Sequence, residues 1–406
     1  MRTLSRRLFT SCSSSYCPKR MPLRSHLHSR HRMSTESKKS FASTATLTPR
    51  VEELAVPGLA PDNAKELRHH RKDAKGFINP WESWHDLECP PTLLVDKPVF
   101  LPSRTTERLR ATWLGHACFY VEFPGGLRVL FDPVFEDRCS PFTFMGPKRY
   151  TKAPCTVEDI PTIDAVVISH NHYDHLSHPT VTKIAKLHPA AHFFVPLGNK
   201  KWFHDSGIDN VTELDWWEQR KFTVPLASSE GDEALTAVIG SLPCQHTSAR
   251  TAFDRSHTLW SSWSVESGGA KLYFAGDTGY RAVPDLPESI DDYADEYKFP
   301  HCPAFKEVGD LRGPFDLGLI PIGAYSPRWI MSSMHANAFD AAKIFLDTRC
   351  KRALGMHWGT WVLTEEDAME PPAQLRQALA REKVPEEGVF DVCNIGASRE
   401  FKIADP

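Results

Sequence analysis

Short apolar runs, several closed by a histidine or an aspartate, recur along this chain. Asp164-Ala165-Val166-Val167-Ile168 leads to His170, and residues 234–239 lead to His246. Lys271-Leu272-Tyr273-Phe274-Ala275 leads to Asp277, and Ala353-Leu354-Gly355-Met356 leads to His357. Runs of this length, rich in β-branched and aromatic residues, read as buried strands. Residues 111–123 and 127–132 flank Pro124-Gly125-Gly126 and read as a hairpin that opens a sheet. Residues 191–196, 315–325 and 389–395 add further strands, with 211–217 as an extended lead-in. Helical periodicity falls between them. Ser177 stands as an N-cap, with Pro179 in the first turn and Val181, Ile184 and Leu187 as the apolar face. Residues 199–206, 337–347 (on Phe339, Ala342, Ile344 and Phe345) and 372–382 read as helices. Alternating strands and helices give an α/β class with sheets covered by helices. Strands lying side by side bring their ends together, which groups the polar residues above in one place.

The richest of these ends is Ser169-His170-Asn171-His172-Tyr173-Asp174-His175-Leu176-Ser177. In an extended chain His170, His172 and Asp174 alternate and point the same way, while His175 points elsewhere. Imidazole nitrogen with carboxylate oxygen is a donor set suited to zinc and similar cations. The competing reading is a polar turn, but four metal-capable side chains so close would each need a buried partner in a core. His116 could approach a metal site, but a lone histidine in a strand is more often structural. Cys244, close to His246, reads as packing.

Composition changes this picture little. The 406 residues are 41% hydrophobic and 24% charged with a formal net charge of −3, ordinary globular values. That balance gives no whole-chain case for nucleic-acid binding. No apolar stretch is long enough to span a bilayer. The ten cysteines form no CxxC pair and read as reduced thiols. Charge is uneven, however. Residues 1–50 are rich in Arg, Lys and Ser, with Glu36 as the only acid. That composition marks a transit peptide, or else a disordered basic tail, and Met21 and Met33 offer later starts. The expected organisation is therefore a segment 1–50, an extension 51–105 and a core domain 106–406. In the extension, Trp81 and Trp84 read as packing in preference to a membrane anchor.

The loop His170-Asn171-His172-Tyr173-Asp174-His175 resembles the His-x-His-x-Asp-His hallmark of the metallo-β-lactamase superfamily. Asn79-Pro80-Trp81, Thr112-Trp113-Leu114-Gly115-His116, Phe131-Asp132-Pro133-Val134-Phe135, Gly146-Pro147-Lys148-Arg149-Tyr150, residues 321–329 and Met356-His357-Trp358-Gly359-Thr360 resemble its N-acyl-phosphatidylethanolamine-hydrolysing phospholipases D. The resemblance implies a four-layer αββα sandwich, α/β or α+β in class. It implies two zinc ions per subunit, one held by His170, His172 and His246, the other by Asp174, His175 and His357, with Asp277 bridging. It further implies catalytic parts for Asp174 and Asp277, and substrate contacts from Tyr173 and His335. The implied partners are a phospholipid substrate and a membrane surface, met peripherally through Trp81, Trp84, residues 142–144, Lys148 and Arg149, with no nucleic acid. A homodimer is compatible with the sequence, and the N-terminal composition implies a mitochondrial, membrane-associated location. A lactone, ester or nucleic-acid substrate, or a metal-stabilised binding protein without activity, are the alternatives.

Overall fold

The structure, a computed structural model, describes residues 49–54, 93–104, 106–226, 234–287 and 290–403. These fall within one compact unit, Thr46–Pro406. Most of the basic segment 1–50, and both Trp81 and Trp84, lie outside the described residues.

In chain order the strands are β1 (Arg50–Leu54), β2 (Leu109–Gly115), β3 (Cys118–Glu122), β4 (Arg128–Phe131), β5 (Ala165–Val167), β6 (His192–Pro196), β7 (Val211–Leu214) and β8 (Gln219–Pro225). They continue as β9 (Ala234–Leu242), β10 (Ser262–Ser267), β11 (Ala270–Phe274), β12 (Leu317–Pro321), β13 (Ala353–Met356), β14 (Phe390–Asp391) and β15 (Ser398–Phe401). The α-helices are α1 (His178–Leu187), α2 (Lys200–Asp205), α3 (Ala304–Leu311), α4 (Arg328–Met331), α5 (Ala338–Asp347) and α6 (Glu370–Arg381).

Two mixed sheets result. One runs β15-β2-β3-β4-β5-β6-β7 and the other β1-β8-β9-β10-β11-β12-β13-β14. In each, antiparallel hairpins give way to parallel strands: β4 to β7 in the first sheet, β11 to β14 in the second. Parallel strands need crossovers, and α-helices fill that role after β5, β6, β11, β12 and β13. The inner faces meet in a shared apolar core. The Phe131 ring lies 4.9 Å from Phe274 across the sheets, and Phe194 meets Phe222 edge-on at 5.4 Å. Burying each such side chain contributes about 1.5–3 kcal/mol. On the outer face of the first sheet, Leu130, Val166 and Phe193 pack with Val181 and Ile184 of α1 and Phe203 of α2. Helices α3, α5 and α6 bury Val308, Ile344 and Leu379 with the second sheet. The layer order is αββα, as expected.

The apolar face of α1 is narrower than its periodicity suggests. Leu187 is 43% exposed, because the last turn runs past the edge of the packed face. Strand β1 straddles the expected boundary between segment 1–50 and the extension, and pairs antiparallel with β8 at the edge of the second sheet. The described cysteines are all free thiols, and Cys244 is buried as packing. Among the described residues no helix is long and apolar enough to cross a membrane.

Candidate metal centre

The site forms where β5, β11 and β13 end and where the loops after β2, β4, β9 and α4 converge. The end of β5 is tied to both sheets. Ile168 N donates to Phe194 O at 2.9 Å in its own sheet, and Trp263 Nε1 of β10 donates to Ile168 O at 3.0 Å. Gly276 lets β11 end against that point. It adopts φ +60°, and a Cβ there would lie 2.5 Å from Ser169 Cβ.

The histidine-rich loop is a turn and not an extended segment. Leu176 N and His175 N both donate to His172 O, at 2.8 and 3.1 Å. This overturns the expectation that His170, His172 and Asp174 share one direction. The turn sends the two histidines to one side and Asp174 to the other. Arg250 Nη1 brackets it, donating to Asn171 O at 3.1 Å and Leu176 O at 2.6 Å.

On the first side, His172 Nδ1 lies 2.8 Å from His170 Nε2 and 3.2 Å from His246 Nε2. Ligand atoms about 2.0–2.1 Å from a tetrahedral cation are separated by about 3.3 Å, so these contacts have coordination spacing. On the second side, Asp174 Oδ2 lies 3.3 Å from His175 Nε2 and 3.5 Å from His357 Nε2. Asp277 stands between the two groups. Its Oδ2 is 3.1 Å from His175 Nε2, 3.9 Å from His170 Nε2 and 3.8 Å from His246 Nε2, and its Oδ1 is 2.9 Å from His357 Nε2. All seven residues predicted as a metal set therefore converge.

Outer hydrogen bonds aim the rings. Asp132 Oδ2 accepts from His175 Nδ1 at 2.6 Å, Ser169 Oγ sits 2.9 Å from His170 Nδ1, and Met334 O accepts from His246 Nδ1 at 2.8 Å. Each bond leaves the other ring nitrogen for the centre, the usual arrangement around metal-binding histidines. Four non-glycine residues at or beside the site hold left-handed backbone: His116, Asp132, Ala324 and His357. Such strain concentrates where surrounding structure fixes functional groups.

A divalent cation fits this donor set. Among the described residues, His335 Nδ1 and His357 Nδ1 are shielded from solvent with no hydrogen-bond partner, while His175 Nε2 and His357 Nε2 face the Asp174 and Asp277 carboxylates without hydrogen-bond geometry. Leaving a polar atom so costs about 1–3 kcal/mol, a debt that coordination removes. The charges agree. Burial holds the His170 imidazole well below its usual pKa and brings His172 to about 4 and His246 to about 3, so all three are neutral at pH 7. Burial acts the same way on His175 and His357 but is outweighed by Asp277, with Asp174 adding to it at both and Asp132 at His175. His175 is pushed well above its ordinary value and His357 up to about 9. Burial alone would raise Asp174 and Asp277, yet the neighbouring histidine charges hold both well below the usual carboxylate range. Two protons thus sit among carboxylates where a cation would balance them.

The centre lines a cavity of about 520 Å³. Phe142, Met145, Ile330, Met331, Met334 and Leu363 give it an apolar wall, while His172, Tyr173, Asp174, His246, Asp277 and His335 form the polar end. His335 Nδ1 is 3.9 Å from Asp277 Oδ2. The Tyr173 hydroxyl donates to Arg250 O at 3.1 Å, with its ring under the Arg250 guanidinium at 3.9 Å. Phe142, Phe144 and Met145 project at 46, 77 and 51% exposure. Arg149, expected at the surface, is buried: Nε donates to Glu136 O at 2.8 Å and the guanidinium covers Trp361 at 4.3 Å. Lys148 is exposed.

Two residues at the centre lie outside the predicted set. Asp132 ends β4 as Asp277 ends β11, so the strand-end pattern contained it. His116, read there as structural, places Nε2 2.9 Å from Asp174 Oδ2. Its signal was a histidine beside a glycine at the end of a strand.

The family model for the β-lactamase superfamily domain matches residues 127–358. The chain is 40% identical over 281 residues to N-acyl-phosphatidylethanolamine-hydrolyzing phospholipase D 1 of Caenorhabditis elegans, covering 68% of this chain and 71% of that one. It is 35% identical over 267 residues to the mitochondrial N-acyl-phosphatidylethanolamine-hydrolyzing phospholipase D of Saccharomyces cerevisiae, covering 65% of this chain but only 50% of the yeast protein. Igni18, a metallo hydrolase from Ignicoccus hospitalis, aligns with a TM-score of 0.46 at 19% identity, covering 73% of this chain and 99% of that one.

Proposed function

The chain belongs to the β-lactamase superfamily, and from that premise we propose that it is a metal-dependent phosphodiesterase of phospholipase D type. Its proposed substrate is N-acyl-phosphatidylethanolamine, and its products are an N-acylethanolamine and phosphatidic acid. The observation that carries this reading is Asp277 standing between two groups of histidines at the polar end of an apolar-walled cavity. The name of the nematode relative supports the substrate.

His170, His172 and His246 would hold one cation and Asp174, His175 and His357 the other, with Asp277 serving both. The nitrogen and carboxylate donors favour zinc. A pair of such cations supplies a water-derived nucleophile at neutral pH and counter-charge for phosphoryl oxygens. Asp174 and Asp277 orient that water and keep its proton close. His335, with Nδ1 unpartnered among the described residues and directed at the same end, donates a hydrogen bond to a phosphoryl oxygen. Tyr173 flanks the phosphate. The methionine-rich wall takes acyl chain and excludes bulk water.

A lipid substrate places the cavity against a bilayer. The exposed Phe142, Phe144 and Met145 beside the cavity, with Lys148 nearby in sequence, supply that contact in this reading. Phe144→Ser is expected to weaken sedimentation with anionic vesicles severalfold while sparing turnover of a detergent-dispersed substrate. Equal loss of both measures would contradict the assignment. The basic N-terminal composition and the yeast relative's name together support a mitochondrial location.

The deciding experiment incubates the protein with a defined N-acyl-phosphatidylethanolamine and identifies products by mass, beside lactone and RNA panels. N-acylethanolamine with phosphatidic acid, lost on chelation and restored by zinc, is expected. Free fatty acid, diacylglycerol, or turnover confined to lactone or RNA would overturn the reading.

A further inference from the structure

His116 stands outside both proposed ligand groups, yet its place in the fold is closely defined. It follows Gly115 at the end of β2, in left-handed backbone at φ +52°. Three hydrogen bonds hold its backbone. The N–H donates to Thr360 Oγ1 at 2.8 Å, and the carbonyl accepts from Trp113 Nε1 at 2.8 Å and from His357 N at 3.0 Å. The last of these fastens His116 to a proposed ligand through the main chain. The ring lies 4.0 Å from the His357 ring and edge-on to Trp361 at 4.9 Å. Only 3% of the residue is exposed.

Asp174 is differently placed. It sits in the turn of the histidine-rich loop, its side chain 16% exposed at the cavity. A carboxylate on a turn can rotate about its last bond unless something holds it. His116 Nε2, 2.9 Å from Asp174 Oδ2, is in position to do so. The same oxygen is the one 3.3 Å from His175 Nε2 and 3.5 Å from His357 Nε2. A carboxylate oxygen accepts at two lone pairs, so one can take the His116 proton while the other faces the cation.

We propose that His116 is a positioning residue for the second cation, donating from Nε2 to Asp174 Oδ2 and so fixing that oxygen against His175 and His357. This rests on Asp174 being a ligand, as proposed above. It makes β2, a strand that supplies no ligand of its own, part of the machinery that sets the affinity of one cation and not the other. Loss of a hydrogen-bonding partner behind a metal ligand typically weakens binding about 10–100-fold.

The test uses zinc and cobalt as probes on the full chain. Two stepwise dissociation constants are measured by chelator competition, and the visible absorption of bound cobalt reports ligand geometry. His116→Leu is expected to weaken the second cation about 10–100-fold, leave the first within about threefold, and change the cobalt spectrum. His116→Gln, which keeps an N–H near the position of Nε2, is expected to restore both. If His116→Leu fails to fold, the Gln variant decides alone, and a folded Gln variant lacking the second cation overturns the proposal. Equal weakening of both cations by His116→Leu also overturns it. Asp174→Ala separates this proposal from its premise. A wild-type chain that binds two cations and loses one with Asp174→Ala, but not with His116→Leu, refutes His116 alone. If Asp174→Ala keeps both cations, the ligand assignment itself is wrong.

Discussion

Asp132→Asn removes one negative charge behind His175 while keeping side-chain size. In the native site Asp132 is 1% exposed and accepts three hydrogen bonds. Oδ1 takes Ser169 N at 2.7 Å, and Oδ2 takes His175 Nδ1 at 2.6 Å together with the Ser169 hydroxyl. An amide cannot satisfy the same donors. If its oxygen faces His175, its NH₂ faces the Ser169 N–H, and two donors meet in a dry site. The charge-assisted bond to His175 becomes neutral, roughly halving a contribution of about 1.5–3 kcal/mol. The donor clash is present with or without a cation, so it adds about 1 kcal/mol or more to the cost in folding stability and not to the cost in binding. The weakened support behind His175 is expected to lower affinity for the cation His175 would hold by about 10–100-fold. Competition titration against a chromophoric chelator measures it, with far-ultraviolet circular dichroism confirming the fold. A folded variant with both affinities unchanged would refute the claim that Asp132 sets the basicity and aim of His175.

Cation loading should release about two protons at pH 7, because His175 and His357 carry protons in the metal-free protein and must give them up to coordinate. Calorimetry in buffers of different ionisation enthalpy reads the number. His357 is held up to about 9, so its share should vanish above that pH, and a constant release to pH 10 would contradict the assignment. Away from the site, burial, with Lys200 adding to it, pushes His192 down to about 4, and its Nε2 meets Thr212 Oγ1 at 2.9 Å. The unfolded chain binds this proton below about pH 6.5 while the folded chain refuses it until about 4, so stability falls as pH drops through that window. The effect is at most about 3 kcal/mol, and His192→Gln should flatten that limb of the urea-stability curve; an unchanged slope would refute it. Gly276→Ala forces a Cβ to 2.5 Å from Ser169 Cβ in left-handed backbone. It should cost more than about 2 kcal/mol in urea unfolding and weaken both cations, since Asp277 follows directly. A wild-type midpoint would show that β11 and the histidine-rich loop are less closely packed than described.

The strand-end pattern was legible because it is local: an apolar run and the polar residue after it lie within thirteen positions. Ser177 as a cap was equally plain, and its side chain does accept from Thr180 N at 3.2 Å. What failed depended on contacts far apart in sequence. Strands β8 and β10 were missed because Gln219–Pro225 and Ser262–Ser267 are rich in polar residues and draw their order from neighbours on both sides. Strand β15 exists through pairing with β2, nearly three hundred residues earlier. Helix α3, Ala304–Leu311, has an amphipathic face that was overlooked among acidic and proline-rich flanks. Arg149 looked like surface charge because nothing local reveals that Trp361 would cover it. The extended-chain argument for the histidine-rich loop named residues that do cluster, but for a wrong geometric reason. Spacing told which side chains were near each other, but the turn, set by His172 O and Arg250, decided which way each faced.

The most direct measurement is anomalous diffraction from crystals of the zinc-loaded protein. Two peaks per chain are expected, one among His170, His172 and His246 and one among Asp174, His175 and His357, with Asp277 reaching both. A single peak, or peaks away from Asp277 in a folded and active enzyme, would contradict the paired-cation account.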